Sequence, residues 1–182
     1  REMQSLFPNR DETNDMQTQK LSTYEQAREY LERFIHARLY QKIEVGAGDE
    51  HDPMGRMKTF LQLLENPQTL YPCVIVSGTS GKGSTTYLIA QMLTTAGYTT
   101  GLTISPHLQK INERMSIGHS GILTAISDQD LIELLNDIIP VITQMEETTY
   151  GPPTYYEILM ALTLLYFKKK KVDIAVIEVG LE

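Results

Sequence analysis

The stretch VIVSGTSGKGSTTYLIAQML, residues 74–93, constrains the fold more than any other part of the chain. It begins as an apolar run, passes through three glycines and a lysine, and ends in a helix-like pattern. Glycines let such a turn adopt backbone conformations that other residues avoid, and let it approach a ligand closely. The N–H groups of the turn and of the first helical turn then point at one spot, where the helix dipole adds positive potential. The pattern therefore predicts a strand, a phosphate-binding turn and a helix.

The turn, GTSGKGST, has the residues that a nucleotide triphosphate requires, but it departs from the strict G-x-x-x-x-G-K-[ST] pattern. Val76 stands where the first glycine would be, and Gly83 separates the lysine from the hydroxyl. Lys82, the candidate catalytic residue, supplies charge for the β and γ phosphates, and a nearby hydroxyl can reach a phosphate oxygen or Mg²⁺. The alternative is a glycine-rich turn with a solvated lysine. The candidate nucleotide-binding residues are Gly78, Thr79, Gly81, Lys82, Gly83, Ser84 and Thr85.

Composition and charge exclude several classes of protein. The chain has 182 residues, 41% of them hydrophobic, which is enough for one well-buried domain. The formal net charge of −7 argues against a nucleic-acid surface, and the one basic run, residues 168–171, falls where a helix end favours cations. The longest apolar stretch is shorter than the roughly 18 residues of a membrane span. The single cysteine, Cys73, suits a reducing compartment, and its place at the head of an apolar strand predicts a position in the core rather than a catalytic role. We expect a cytoplasmic protein without nucleic-acid or membrane partners.

The N-terminal part divides into a tail and a helical segment. Residues 1–20 are polar and aperiodic, which predicts a flexible tail ahead of a domain over residues 21–182. Ser22 and Glu25 form an S-x-x-E capping box before apolar residues at helical spacing. One amphipathic helix is therefore predicted to begin here.

The rest of the chain alternates between helical and strand-like segments. A second helix is predicted from Asp52 and Pro53, a good N-cap and first-turn pair, to Asn66. Almost continuously apolar strands that alternate with helices indicate an α/β fold with a mostly parallel sheet and flanking helices. The long helix from Ser127 should kink or split at Pro140, which lacks an N–H group. The remaining predicted elements are strands at 73–77, 99–104 and 172–178, helices at 83–96 and from Thr154, and a loop over 105–121.

Two oxygen-bearing residues follow predicted strands at the edge where ligands bind in open parallel sheets. Ser105 lies after the second strand and Glu178 at the end of the last one. A hydroxyl and a carboxylate suit Mg²⁺, which prefers oxygen ligands and keeps several waters. The alternative for each is a strand-end residue that caps a neighbouring loop.

Five segments together carry a family resemblance: VSGTSGKGST, SPHL, NERMSI, PTYYE and VDIAVIEVGL. Their order and approximate spacing over roughly residues 24–181 resemble the folylpolyglutamate synthase and dihydrofolate synthase family, within the Mur ligase superfamily. The valine at the first-glycine position and the glycine after the lysine, which count against a generic P-loop, are both typical of this family. The resemblance implies the P-loop NTPase-like central domain of a Mur ligase, preceded by N-terminal helices.

The resemblance also implies a reaction and its participants. A carboxylate of folate or dihydropteroate would take the γ-phosphoryl group of ATP, and the amino group of L-glutamate would then displace phosphate from the acyl phosphate. By position, the P-loop would bind ATP, and Ser105 and Glu178 would bind Mg²⁺. Tyr156 would stack on the substrate ring, unless it packs in the core. The segment that would contact the substrate is Thr154, Tyr155, Tyr156 and Glu157.

Other positions of the resemblance are less direct. His107 has either a site role or a structural one, and Arg114 contacts either an anionic substrate or Glu113 in a surface ion pair. Family members usually carry GL-x-R before the second helix, where this chain has PMGR at residues 53–56, which puts the pterin contact of that loop in doubt. Members also continue into a C-terminal domain. The chain is therefore expected to be the N-terminal, ATP-binding part of a longer ligase, and to be inactive alone.

Several alternatives stay open at this point. The residues do not distinguish a dihydrofolate synthase from a folylpolyglutamate synthase or a bifunctional enzyme, and another Mur-type amide ligase fits the same P-loop. A regulatory NTPase would predict an N-K-x-D motif, which the sequence lacks. A non-catalytic nucleotide-binding fragment would keep the fold without turnover. A last strand without a following helix would leave an apolar face or edge uncovered, so self-association is also predicted.

Overall fold

The computed structural model describes residues 20–35 and 52–180. Nearly all of the predicted tail, and the end of the predicted domain at residues 181–182, lie outside them. The helices are α1 Tyr24–Glu32, α2 Pro53–Leu63, α3 Lys82–Thr95, α4 Asp128–Glu146 and α5 Tyr155–Lys170. The strands are β1 Cys73–Val76, β2 Thr100–Thr103, β3 Met115–His119, β4 Ile122–Ala125 and β5 Ile174–Glu178. Short 3₁₀ turns lie at Pro67–Thr69 and Ile111–Arg114.

The five strands form one mixed sheet in the order β1-β5-β2-β3-β4. β5 is parallel to both of its neighbours, β1 and β2, whereas β3 is antiparallel to β2 and to β4. Four strands therefore run in one direction and only β3 opposes them. This arrangement confirms the predicted α/β fold with a mostly parallel sheet and flanking helices.

The β3–β4 hairpin overturns part of the predicted loop over residues 105–121. The two strands pair Ser116 with Ala125 and His119 with Ile122 around a tight turn. Ser120 and Gly121 form that turn with φ of 51° and 82°. The pattern hid these strands because both are short, and because β4 is largely exposed and has no alternation of apolar and polar residues.

Helices cover the two faces of the sheet unequally. Among the described helices, α3 is the one that packs on the first face, where Ala90 meets Leu102 and Val176 in a small apolar cluster. The other face carries the main core, in which α4 contacts α1, α2 and α5. Phe60, Phe167 and Leu135 are fully buried there. Among the described residues, no helix combines the length and the apolar character needed to cross a bilayer.

The helix starts follow local capping rules, with one shift from the prediction. The N-cap of α1 is Thr23, whose hydroxyl accepts the N–H of Gln26 at 3.2 Å, and Gln26 Oε1 accepts the N–H of Thr23 in return. The predicted box of Ser22 and Glu25 is therefore wrong by one residue. A Thr-x-x-Gln spacing satisfies the same N–H groups, and the sequence contains both alternatives. The predicted start of α2 at Asp52 and Pro53 is confirmed, although the helix ends at Leu63, before Asn66.

Pro140 does not split the long helix, which was one of the two predicted outcomes. α4 continues from Asp128 to Glu146 with Pro140 inside it, on the exposed side. Leu135, Ile138 and Ile142 hold the opposite side in the core. The packing of that apolar face offsets the hydrogen bond that proline cannot donate.

Cys73 does not lie in the core, contrary to the prediction. Its strand, β1, is at the edge of the sheet, where Val74 and Val76 pack towards α3. Cys73 and Ile75 point to the other face, and both are exposed, Ile75 by 57%. Apolar composition predicted a strand buried on both faces, but no described helix covers this side of an edge strand.

Candidate functional site

The glycine-rich turn lies between the end of β1 and the start of α3, as predicted. Gly81 has φ of 74° and is the N-cap of α3, so the helix begins at Lys82. A side chain at this position would hold the backbone in a strained left-handed conformation, whereas glycine adopts it freely. The surrounding Thr79, Ser84 and Thr85 are exposed. The turn therefore presents an open loop of backbone to solvent at the end of the sheet.

The N-terminus of α3 is uncapped, in contrast to the other described α-helices. Side chains of Thr23, Asp52, Ser127 and Thr154 cap the other four. At α3 no side chain accepts a hydrogen bond from the first turn, and the first intrahelical bond is Thr85 N–H to Gly81 O at 3.0 Å. The N–H groups of Lys82, Gly83 and Ser84 thus remain as donors at the positive end of the helix dipole. This is an arrangement that binds anions.

The two candidate metal ligands meet beside this helix start. Glu178 Oε2 accepts the backbone N–H of Ser105 at 2.8 Å, although 73 residues separate them in sequence. Glu178 is buried, and the same oxygen lies 3.5 Å from the position that a Cβ on Gly83 would occupy. A Cβ at position 83 would make an ordinary van der Waals contact with this carboxylate, so the first turn of α3 lies directly beside Glu178. The structure therefore brings together the P-loop, Glu178 and Ser105.

A cleft of about 370 Å³ leads away from these residues. Ser105 and Glu178 line one part of it, and Thr154, Tyr156 and Glu157 line another. Two arginines, Arg56 and Arg114, also line the cleft. Its other lining residues are Pro53, Thr103, Ile104, Leu159, Met160, Thr163, Val179 and Gly180. Both predicted metal ligands and three of the four predicted substrate residues thus border one continuous cleft.

The four residues of the predicted substrate segment have different surroundings. Thr154 and Glu157 form the capping box of α5: the Thr154 hydroxyl accepts the N–H of Glu157 at 3.3 Å, and Glu157 Oε2 accepts the N–H of Thr154 at 2.7 Å. Tyr155 is buried in the main core, where burial raises the pKa of its hydroxyl. Tyr156 is 62% exposed and lines the cleft, so it does not pack in the core. Tyr156 is thus the residue of this segment with a ring free to meet a ligand.

A buried ion pair joins the second helix to this segment. Arg56 Nε lies 2.8 Å from Glu157 Oε2 and 3.1 Å from Oε1. The two side chains are only 5% and 13% exposed. Arg56 is the last residue of the PMGR stretch, whose departure from GL-x-R therefore keeps the arginine. Sequence reasoning did not pair these residues, because a separation of 101 positions leaves no periodic signal.

Arg114 pairs with His107, and its predicted surface ion pair with Glu113 is wrong. Arg114 Nε donates to His107 Nδ1 at 2.8 Å, and the Arg114 side chain is buried. Burial, and then the charge of Arg114, lower the pKa of His107. Glu113 turns instead to the loop after SPHL, where it accepts the N–H groups of Leu108, Gln109 and Lys110 at 2.7, 3.0 and 2.9 Å. These bonds, that of Leu108 foremost, lower the pKa of Glu113.

The comparisons with known proteins agree on one family. The chain is 38% identical over 161 residues to the dihydrofolate synthase/folylpolyglutamate synthase of Bacillus subtilis, and this alignment covers 88% of the chain. A solved FPGS–AMPPCP–folate complex is similar, with a TM-score of 0.72, 31% identity and 88% of the chain covered. The chain matches the N-terminal portion of the folylpolyglutamate synthase and dihydrofolate synthase family. It spans 34% of the length of the Bacillus relative and 36% of that solved chain.

Further similarity to this family comes from the folylpolyglutamate synthase of Mycobacterium tuberculosis complexed with ADP. Its TM-score is 0.72, with 28% identity over 87% of this chain and 32% of the solved one. No protein-family model matches the chain. The match with the Bacillus relative extends over 161 of the 182 residues.

Proposed function

We propose that this chain supplies the ATP-binding portion, residues 21–182, of a ligase that adds L-glutamate to a carboxylate of folate or dihydropteroate. One observation carries the proposal: the Glu178 carboxylate lies beside the uncapped start of α3 at Gly83, and it lines the same cleft as the exposed ring of Tyr156. The solved relatives named as complexes with AMPPCP, folate and ADP support it. We also propose a cytoplasmic location, since the composition has one cysteine and a net charge of −7.

The P-loop residues are proposed to hold the triphosphate of ATP. The unpaired N–H groups of Lys82, Gly83 and Ser84 would donate to phosphate oxygens, and the Lys82 side chain would neutralise charge on the transferring γ-phosphoryl group. Phosphoryl transfer needs chiefly positioning and charge stabilisation, which backbone donors fixed by a helix provide. Gly78 and Thr79 would complete the loop around the phosphates, and Thr85 offers a second hydroxyl beside Ser84.

The residues present fit a Mg²⁺ ion. Glu178 uses Oε2 for the Ser105 N–H, and Oε1 accepts no hydrogen bond from the described residues. The exposed Ser105 hydroxyl lies on the same loop as that N–H group. Among the described residues no cluster of three His, Cys, Asp or Glu exists, which agrees with an ion that keeps most of its waters. When bound, Mg²⁺ would supply charge neutralisation to the phosphates, and Glu178 and Ser105 would hold it.

The acid substrate is proposed to lie along the cleft, with its aromatic part against Tyr156. A carboxylate that reached the Glu178 end would lie near the γ-phosphoryl group and could attack its phosphorus, which would break the bond to the bridging oxygen, release ADP and form an acyl phosphate. The amino group of L-glutamate would then attack the acyl carbon and release phosphate. Thr154 and Glu157 would act by fixing the start of α5, since their polar groups already bond one another.

The proposal is tested by calorimetry of MgATP binding to the chain and to Lys82→Ala, with Lys58→Ala as a charge-matched control on the exposed side of α2. We expect binding by the unaltered chain and by the control, and a loss of at least about tenfold in Lys82→Ala, because one charge-assisted contact to phosphate is removed. Equal binding by all three would refute the P-loop assignment. An absence of binding to the unaltered chain would contradict ATP binding by this portion of the ligase, and would contradict the alternative of a non-catalytic nucleotide-binding fragment as well.

A further inference from the structure

Arg114 is a buried cation whose neighbours leave its charge uncompensated. It ends the 3₁₀ turn Ile111–Arg114 and is 9% exposed. Its Nε donates to His107 Nδ1 at 2.8 Å, which requires that nitrogen to be an unprotonated acceptor. A neutral imidazole orients the guanidinium group but does not neutralise it. A buried charge without a counter-charge is costly, so this one needs a further explanation.

Arg56 offers an internal comparison, since it lines the same cleft and is also buried. It has a carboxylate partner in Glu157, at 2.8 Å. Within residues 20–35 and 52–180, no carboxylate oxygen lies within 4.0 Å of the Arg114 guanidinium nitrogens. Each arginine uses Nε for its internal partner, but only Arg114 leaves a net positive charge at the cleft wall.

The orientation of Arg114 leaves its terminal nitrogens available. In the described part of the chain, Nη1 and Nη2 make no hydrogen bond, whereas Nε is occupied by His107. The Arg114 Cζ atom lies 5.8 Å from the centre of the Tyr156 ring. A guanidinium group anchored through Nε and placed over an aromatic ring keeps its two-pronged edge for a planar anion. The cationic group and the exposed ring thus stand side by side in the cleft.

We propose that Arg114 is the residue that binds a carboxylate of the aromatic acid substrate, through Nη1 and Nη2, beside the ring-binding Tyr156. The ligand class is an aryl carboxylic acid, whose planar ring and planar anion match these two neighbours. His107 is a positioning residue, because it acts through Arg114. The inference rests on the proposed function and adds to it the group that distinguishes an acid from its neutral analogues.

The experiment measures equilibrium binding of pteroic acid and of its carboxamide, which has the same shape without the charge, by the intrinsic fluorescence of the ligands. The proteins are the unaltered chain, Arg114→Met, Arg114→Lys and the control Arg28→Met. Arg28 lies on α1, where it pairs with Glu32 at the surface. Binding of the carboxamide reports that the cleft is folded in each variant.

We expect the unaltered chain and Arg28→Met to bind the acid at least tenfold more tightly than the carboxamide. Arg114→Met should lose about 10- to 100-fold in affinity for the acid, the range expected for a charged, two-pronged hydrogen bond, and keep its affinity for the carboxamide. Arg114→Lys should recover part of the loss, because it restores the charge without the planar fork.

Three results would overturn the inference. If Arg114→Met binds the acid as the unaltered chain does, Arg114 does not bind the carboxylate, and the proposed function stands without it. If Arg114→Met and Arg114→Lys lose the acid and the carboxamide equally, the residue shapes the cleft and does not recognise charge. If the unaltered chain binds neither ligand, the folate cleft of the proposed function fails, and the inference fails with it.

Discussion

The buried pair of Arg56 and Glu157 should contribute more to stability than to ligand binding. The Nε–Oε distances of 2.8 and 3.1 Å are those of charged hydrogen bonds, and the side chains are 5% and 13% exposed. Removal of one partner leaves the other charge buried and unpaired, which costs about 3–5 kcal/mol. For a domain of this size that corresponds to a fall of roughly 6–20 °C in melting temperature.

The substitutions are chosen to remove the charge and little else. Glu157→Gln keeps an oxygen that can accept the N–H of Thr154, so the capping box of α5 survives. Arg56→Met keeps most of the length of the side chain. The double variant leaves neither side chain charged and unpaired. Its free energy of unfolding should therefore be about 2–3 kcal/mol higher than the sum of the two single losses predicts.

Urea unfolding followed by circular dichroism gives the four free energies of unfolding that this cycle needs. Lys58→Met, an exposed change on the same helix as Arg56, is the control and should be neutral within about 0.5 kcal/mol. The reasoning is refuted if both single variants remain within about 1 kcal/mol of the unaltered chain and their effects add in the double variant. Glu157 would then be available to a substrate, as the family resemblance implies.

Three further changes test other features. Gly101→Ala places a Cβ 2.8 Å from the ring of the fully buried Phe167 and should lower the free energy of unfolding in urea by about 1–3 kcal/mol. A double variant with Phe167→Leu should recover part of that stability. A neutral Gly101→Ala would contradict this packing. Glu113→Gln should speed amide hydrogen exchange at residues 108–110. The unaltered chain should lose the same protection from exchange at low pH. Because the pKa of Glu113 is lowered, the stabilisation of the loop by its carboxylate is complete above the ordinary carboxyl pKa and is lost as the pH falls through the lowered value. Unchanged protection in both cases would show that the carboxylate does not hold the loop. The chain should self-associate at high concentration in light scattering, and Ile75→Lys should suppress this because a charge on the open β1 edge opposes pairing; a concentration-independent monomer would count against it.

The sequence predicted the parts of the site that depend on local pattern. An apolar strand, glycines at fixed spacing and a helical run are neighbours in the chain, so their order alone predicts the phosphate-binding turn. Ser105 and Glu178 were predicted because both follow strands, and strands that run the same way end at the same edge. The structure brings Ser105 N–H to Glu178 Oε2 at 2.8 Å, as that reasoning requires.

The remaining features depend on contacts between distant parts of the chain. Arg56 meets Glu157 across 101 positions, and neither residue type nor spacing indicates the partner. Glu113 accepts three N–H groups because of how its loop folds, which the sequence does not reveal. The only sequence feature that pointed to this role was an acidic residue three positions after Lys110. Cys73 was expected in the core because apolar composition does not reveal that β1 lies at the edge of the sheet.

The position of β5 has a consequence for how the chain matures during synthesis. β5 is the last described strand in sequence, but it lies between β1 and β2 and pairs with both. β1 and β2 therefore have no hydrogen bonds with each other, and they can join one sheet only after β5, which is synthesised about 100 residues after β1. At 5–20 residues per second, the glycine-rich turn has been synthesised for roughly 5–20 seconds before the strand that carries Glu178 can enter the sheet. Until then the nascent chain exposes two unpaired strand edges beside that turn, and this interval is when it most depends on protection from aggregation.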